Sequence, residues 1–241
     1  MRKLLALFLL SVSLLSCKEK NVFNGENVIP SPKEMNVDNP KLYVIEDVVV
    51  SASSDNLTYP QNKDEYYLKT EKGRVYIEGN EVWARQTLTQ LADEEGRVPD
   101  VEVHDWSEYP FRGFMHATGR NFQTIEMLKE TIDLMSLYKI NYFHWHLTDN
   151  PAWRIECKVY PQLNDPQYQR DCGKFYTYDE IRELIAYAKE RGITIMPEID
   201  MPGHSAYFRN AFGFSMDSEE GMKVLEKCIE EFCNEIPVSM C

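Results

Sequence analysis

From Pro110 onward the chain alternates short apolar runs with amphipathic stretches, and this rhythm restricts its fold more than any other feature. Parallel strands need a crossover of a dozen or more residues, usually a helix, so such alternation predicts a parallel sheet or a (β/α) barrel. Residues 111–116, 140–147 and 193–196 read as strands. After the first, Thr124 caps a helix with Ile125, Leu128, Ile132, Met135 and Leu137 on its apolar side. Thr177-Tyr178-Asp179-Glu180 forms a capping box for a second helix, with Ile181, Leu184, Ile185 and Ala188 at core spacing and Gly192 beyond its end. A third helix starts at Ser218 and carries Val224, Leu225, Cys228, Ile229 and Phe232, and Ile236-Pro237-Val238 begins a fourth strand.

Upstream the pattern differs. Residues 21–40, rich in Asn and Pro, read as a tether leading into an extended segment. Residues 42–45 and 48–50 are β-branched runs, and residues 66–70 and 75–78 form a hairpin around Glu71-Lys72-Gly73-Arg74. A helical window follows with Val82, Trp83, Leu88, Leu91 and Ala92, ended by Gly96, and residues 101–103 make another short strand. The expected organisation is α/β: a small α+β domain over residues 21–108, then a partial barrel of three to four β/α units over residues 109–241.

Residues 1–20 stand apart. Arg2 and Lys3 precede an apolar core over residues 4–15, which is too short to span a bilayer and reads as a secretory signal. Leu14-Leu15-Ser16-Cys17 resembles the bacterial lipobox, in which the cysteine is lipidated; the simpler alternative is a cleaved signal with an incidental cysteine. The lipobox reading makes Cys17 an acyl anchor, holding an exported protein on the bacterial cell envelope, at the outer membrane or facing the periplasm.

The formal net charge of −13 argues against nucleic acid as a partner, because that affinity needs a basic surface to neutralise phosphates. Cys157, Cys172, Cys228, Cys233 and Cys241 form an odd set without compact spacing, which defines no disulfide framework. No C-x-x-C or His-rich spacing is present, so neither a metal nor a cofactor is expected.

Polar residues follow each barrel-type strand: Arg120 after the first, Asp149 and Asn150 after the second, Glu198, Asp200 and His204 after the third. In (β/α) barrels the working groups sit at these strand ends, although a doubly wound sheet places ligands similarly. Three strings sharpen the reading: Arg112-Gly113-Phe114-Met115-His116-Ala117-Thr118-Gly119-Arg120, then residues 138–149 ending His144-Trp145-His146-Leu147-Thr148-Asp149, then Pro197-Glu198-Ile199-Asp200-Met201-Pro202-Gly203-His204. In order and spacing they resemble glycoside hydrolase family 20, the β-N-acetylhexosaminidases, and residues 41–108 resemble the small domain preceding that family's barrel.

The resemblance implies a retaining, substrate-assisted mechanism in which the sugar's acetamido oxygen attacks its own anomeric carbon while a Glu protonates the leaving oxygen. It implies Arg120 gripping hydroxyls of the terminal sugar, His204 contacting the acid Glu, and Asp149 accepting from the other ring nitrogen of His204. Partners would be glycans ending in N-acetylhexosamine. Two departures stand out. The family's Asp-Glu pair after the fourth strand is missing, since Asp93-Glu94 and Asp179-Glu180 fall at a helix end and a helix cap, and Ala117 stands where the family usually has Asp. The 132 residues from Pro110 onward also fall short of the roughly 200 a closed eightfold barrel takes. The expectation is therefore a truncated hexosaminidase, inactive alone, or alternatively a glycan-binding lipoprotein without catalysis. Glu198 and Asp200 read as structural or supporting, at least one of His144 and His146 as a packed strand residue, and Trp153 as either a sugar platform or core.

Overall fold

The computed structural model describes residues 28–51, 56–59 and 62–236. The first part of the chain builds a five-stranded sheet backed by one helix. Its elements are β1 (Glu34–Val44), β2 (Asp47–Ser51), β3 (Tyr66–Glu71), β4 (Arg74–Gly79), α1 (Glu81–Leu91) and β5 (Arg97–Asp105), in the spatial order β1-β5-β3-β4-β2. Strand alternation explains the packing: Tyr66, Leu68, Val75, Ile77, Val101 and Val103 turn inward and meet Trp83, Ala84, Leu88 and Leu91 of α1 in one core. Between β3 and β4 the hairpin loop is two residues long, with Lys72 and Gly73 both at positive φ, as a type I′ turn requires. Helix α1 starts where the Asn80 side chain accepts from Trp83 N–H.

The expected tether is shorter than the sequence suggested. From Glu34 the backbone is already strand β1, paired antiparallel with β5 and irregular on either side of Asn39. Pro40 follows at that irregularity, and proline is confined to edges and bulges because it cannot donate to the ladder. A proline-rich composition therefore concealed an edge strand.

The second part alternates as the rhythm predicts: β6 (Gly113–Ala117), α2 (Ile125–Leu137), β7 (Tyr142–His146), the short hairpin β8 (Thr148–Asp149) and β9 (Ala152–Trp153), α3 (Tyr178–Lys189), β10 (Thr194–Glu198), α4 (Ala206–Phe212) and α5 (Glu219–Glu235). Strands β6, β7 and β10 are parallel, in the order β10-β7-β6. Phe143 and Trp145 turn to the helical side, into a core with Leu128 and Ile132 of α2, Ile181 and Leu184 of α3, and Leu225 and Cys228 of α5. The opposite phase of the pleat puts Ala117, His146 and Glu198 level with one another at the strand ends. Residues 237–238, expected to open a fourth strand, lie outside the described residues, as does the signal segment with Cys17.

Polar contacts join the two parts. The buried Lys139 Nζ reaches Asp105 Oδ2 at 2.7 Å and Tyr66 Oη at 2.8 Å, and Arg112 Nη1 meets Asp64 Oδ2 at 2.6 Å. Gly192, after α3, abuts the Trp83 ring so closely that a β-carbon there would lie 3.3 Å from it.

Candidate active site

All three parallel strands end at one level, and their extensions are stitched together. Thr118 N–H donates to His146 O, Leu147 N–H to Glu198 O, and Asp200 N–H to the Thr148 hydroxyl. Gly119 crosses directly over the start of the β8 hairpin; an added β-carbon would lie 2.8 Å from both Cβ and N of Asp149. That approach lets Arg120 Nε donate to Asp149 Oδ2 at 2.6 Å, while Asn150 N–H donates to Oδ1 at 2.7 Å. Asp149 is buried, its side chain 4% exposed, whereas that of Arg120 is 57% exposed. Among the described residues only Nε of Arg120 is engaged, so four of its five donors remain for a ligand or water.

His204 sits beside this pair. Its backbone takes the left-handed conformation (φ +43°), uncommon outside glycine and asparagine and often found where a side chain must be aimed. Nδ1 lies 2.5 Å from Asp200 Oδ2. The imidazole stands edge-on to His146, ring centroids 6.2 Å apart, and His146 Nε2 is 3.6 Å from Asp149 Oδ2. Behind them Glu198 Oε2 lies 2.5 Å from His144 Nε2 and 2.9 Å from His146 Nδ1.

The electrostatics follow. The hydrogen bond to Asp200, and then the charge of Asp149, raise the His204 pKa above its usual value. Burial opposes ionisation of Asp149, but the hydrogen bonds from Arg120 and Asn150 outweigh it and hold its carboxyl below the usual range. The site is therefore a carboxylate clamped by a guanidinium, next to an imidazole poised to carry a proton. His146, Asp200 and His204 each place one donor atom within 4.8 Å of the others, a nitrogen-and-oxygen set of the kind zinc accepts, where no metal was expected from spacing alone.

The structure places Arg120, Asp149 and His204 in one cluster at the strand ends, with Asp149 held by Arg120 and His204 by Asp200. Asp149 was expected to bond His204; its carboxylate is instead taken by Arg120, and Asp200 is the hydrogen-bond partner of the imidazole. The i,i+4 spacing of Asp200 and His204 is the available signal, and outside a helix that spacing does not by itself imply a contact. Ala117 does not leave Arg120 without a carboxylate, since Asp149 supplies one. Trp153 is 1% exposed and packs near Tyr207, so it is core and not a sugar platform. Arg154, not singled out from sequence, is fully buried and holds the loop around residue 171 by bonds to Asp171 and to the carbonyls of Arg170 and Lys174. As expected, Asp93-Glu94 follows α1 and Asp179-Glu180 lies in the first turn of α3. A third such pair, Asp64-Glu65, supports the first sheet by bonding Arg112 and His104.

Parallel strands joined by helices, with a cationic, carboxylate and imidazole cluster at their C-terminal ends, are the arrangement of α/β enzymes, whose sites lie at the strand ends. Residues 109–239 match the model of the glycosyl hydrolase family 20 catalytic domain, and the chain belongs to that family. It is 39% identical over 166 residues to a β-hexosaminidase of Porphyromonas gingivalis, a match covering 61% of this chain and 21% of that protein. With a β-hexosaminidase of Vibrio furnissii it shares 42% identity over 162 residues, covering 58% and 26% respectively. The chain thus spans about a quarter of the length of these curated relatives. Among solved structures, the β-N-acetylhexosaminidase of Bacteroides fragilis superposes with a TM-score of 0.76 at 26% identity, over 88% of this chain and 55% of that one. An exo-β-N-acetylglucosaminidase of Vibrio harveyi, solved with N-acetylglucosamine, gives 0.74 at 26% identity, over 89% and 46%.

Proposed function

We propose that this chain carries the first part of the catalytic barrel of a β-N-acetylhexosaminidase, which removes terminal N-acetylglucosamine or N-acetylgalactosamine from glycans. The observation that carries the reading is the Arg120–Asp149 pair beside His204–Asp200, at the ends of three successive parallel strands. Arg120 offers a planar fork to two adjacent sugar hydroxyls. Asp149 fixes that fork by holding Nε. His204, its Nδ1 occupied by Asp200, has Nε2 free to meet a carboxylic acid and tune its proton affinity. The acid itself belongs to an Asp-Glu pair after a further strand, and the sugar's acetamido oxygen acts as nucleophile.

Under this reading the 241 residues alone do not turn over substrate, because each of their Asp-Glu pairs is committed to a helix end, a helix cap or the first sheet. A chromogenic N-acetylglucosaminide tests it: a chain extended through the fourth strand should hydrolyse the substrate and the 241-residue chain should not. The absence of activity in the extended chain, or substantial turnover by the short one, contradicts the proposal. The lack of an uncommitted Asp-Glu pair motivates a second reading, a glycan-binding lipoprotein without catalysis; that reading predicts saturable binding of N-acetylglucosamine without hydrolysis at any length. For the leader we propose export and a lipid anchor at Cys17, on the bacterial cell envelope, testable by labelling with a radioactive or clickable palmitate.

A further inference from the structure

Cys157 and Cys228 are 71 residues apart in sequence, yet their sulfurs lie 3.8 Å apart in the core. Both side chains are buried, and neither belongs to the sugar-facing cluster. Cys157 follows the bridge between Ile155 and Tyr176, and Cys228 lies in the middle of α5. The surroundings hold this register from several sides. Glu231, one turn beyond Cys228, accepts from the backbone N–H groups of Lys158 and Val159 and from the Tyr178 hydroxyl, while Asn164 Oδ1 accepts from Cys157 N–H. Glu235 pairs with Lys158 and Arg182 at the helix end. Two thiols facing each other in so fixed a frame form a better defined pair than the sequence spacing implied.

We propose that Cys157 and Cys228 form an intramolecular disulfide that staples α5 to the loop after β9, through exchange with a low-molecular-weight or protein disulfide while α5 docks. In the first step the Cys157 thiolate attacks one sulfur of the external disulfide, giving a mixed disulfide and releasing one thiolate. In the second, Cys228 loses its proton to that released thiolate and attacks Cys157 Sγ, expelling the second thiolate. Two electrons pass from the protein to the external disulfide, which leaves as one thiol and one thiolate, the latter taking up the proton that Cys157 gave to solvent when it ionised. An S–S bond is about 2.0 Å long, so closure asks the sulfurs to approach by roughly 1.8 Å from their present separation. The polarity of the pair suits this order: the hydrogen bond from Cys228 lowers the Cys157 pKa, and the same bond together with burial raises that of Cys228. The exposed Cys172 and Cys233 have no comparable neighbour among the described cysteines.

The test uses the purified 241-residue chain, unfolded and refolded in oxidised or in reduced glutathione, then alkylated in denaturant and mapped by mass spectrometry. The oxidised sample should yield one cross-linked peptide joining residues 157 and 228, and a thermal midpoint roughly 5–10 °C above the reduced sample, because closing a long loop restricts the unfolded chain. Cys228→Ser should abolish both effects. Since a buried serine can compromise folding, the double variant Cys172→Ser, Cys233→Ser supplies the second test and should keep both. Alkylation of Cys157 and Cys228 after oxidation, a link through other cysteines instead, or a 157–228 link without a rise in the midpoint would overturn the proposal.

Discussion

Arg120 Nε and Asp149 Oδ2, 29 residues apart in sequence, meet at 2.6 Å across a segment that can pass only because residue 119 has no β-carbon. The strand ends bring the two loops together; the glycine lets them touch. The clamped carboxylate is in turn close to His146 and to the charge field of His204, so one backbone contact conditions the whole cluster.

Gly119→Ala should therefore act on the site and on stability together. The new methyl meets backbone atoms of Thr148 and Asp149, which cannot swing aside as a side-chain tip would. Overpacking of this kind costs about 1–3 kcal/mol, visible as a lower denaturant midpoint. A change below about 0.5 kcal/mol would mean that the loops are free to separate.

The pair Asp200–His204 makes a prediction about protonation. Asp200→Asn removes the largest cause of the raised His204 pKa, so the imidazole should titrate closer to the ordinary value of about 6.5, with Asp149→Asn producing a smaller fall. Imidazole resonances followed by NMR across pH 4 to 9 measure this. An unchanged midpoint in Asp200→Asn would show that the hydrogen bond does not govern the proton.

The same shifts set a pH window for stability. The folded pKa of His204 is raised, so its contribution is complete below about pH 6.5 and is lost as pH rises through the folded value. For Asp149 the folded pKa is depressed, so its contribution is present above about pH 3.9 and is lost as pH falls through the folded value. Together these groups favour the folded state most between about pH 4 and 6.5. The urea midpoint of wild type should exceed that of Asp149→Asn combined with Asp200→Asn by the most inside that window and by less on either side of it, and parallel curves throughout would refute the assignment.

Lys139 tests the joint between the two parts. Its ammonium is buried against Asp105 and the Tyr66 hydroxyl, and burial lowers its pKa despite the carboxylate. Lys139→Ala strands Asp105 and should cost about 3–5 kcal/mol in a denaturant melt. Lys139→Met with Asp105→Asn removes both charges and should recover part of that loss. A Lys139→Ala protein as stable as wild type would show that the joint is solvated.

Much of this architecture was legible because the helices and parallel strands are periodic. The Thr177–Glu180 capping box, the Thr124 cap and the hairpin at Lys72-Gly73 all stand where local chemistry places them. What escaped notice depends on contacts between distant segments. Strand β1 hides under prolines because its partner, β5, lies some sixty residues later. The buried Arg154 looks like any surface arginine until three carbonyl acceptors surround it. Asp200 is visible in the sequence as a residue but not as the partner of His204, a contact made in a loop where His204 takes a left-handed backbone.

The account rests on Arg120 being the group that grips the sugar, and one kinetic comparison tests this most directly. In a chain continuing through the family's fourth strand, kcat/KM for a chromogenic N-acetylglucosaminide should fall at least roughly 10- to 150-fold on Arg120→Ala, the loss of one charge-assisted hydrogen bond. Arg120→Lys should recover only part of it, because an ammonium cannot present the planar fork. An Arg120→Ala enzyme with undiminished kcat/KM would contradict the account, leaving this cluster a structural feature at the strand ends.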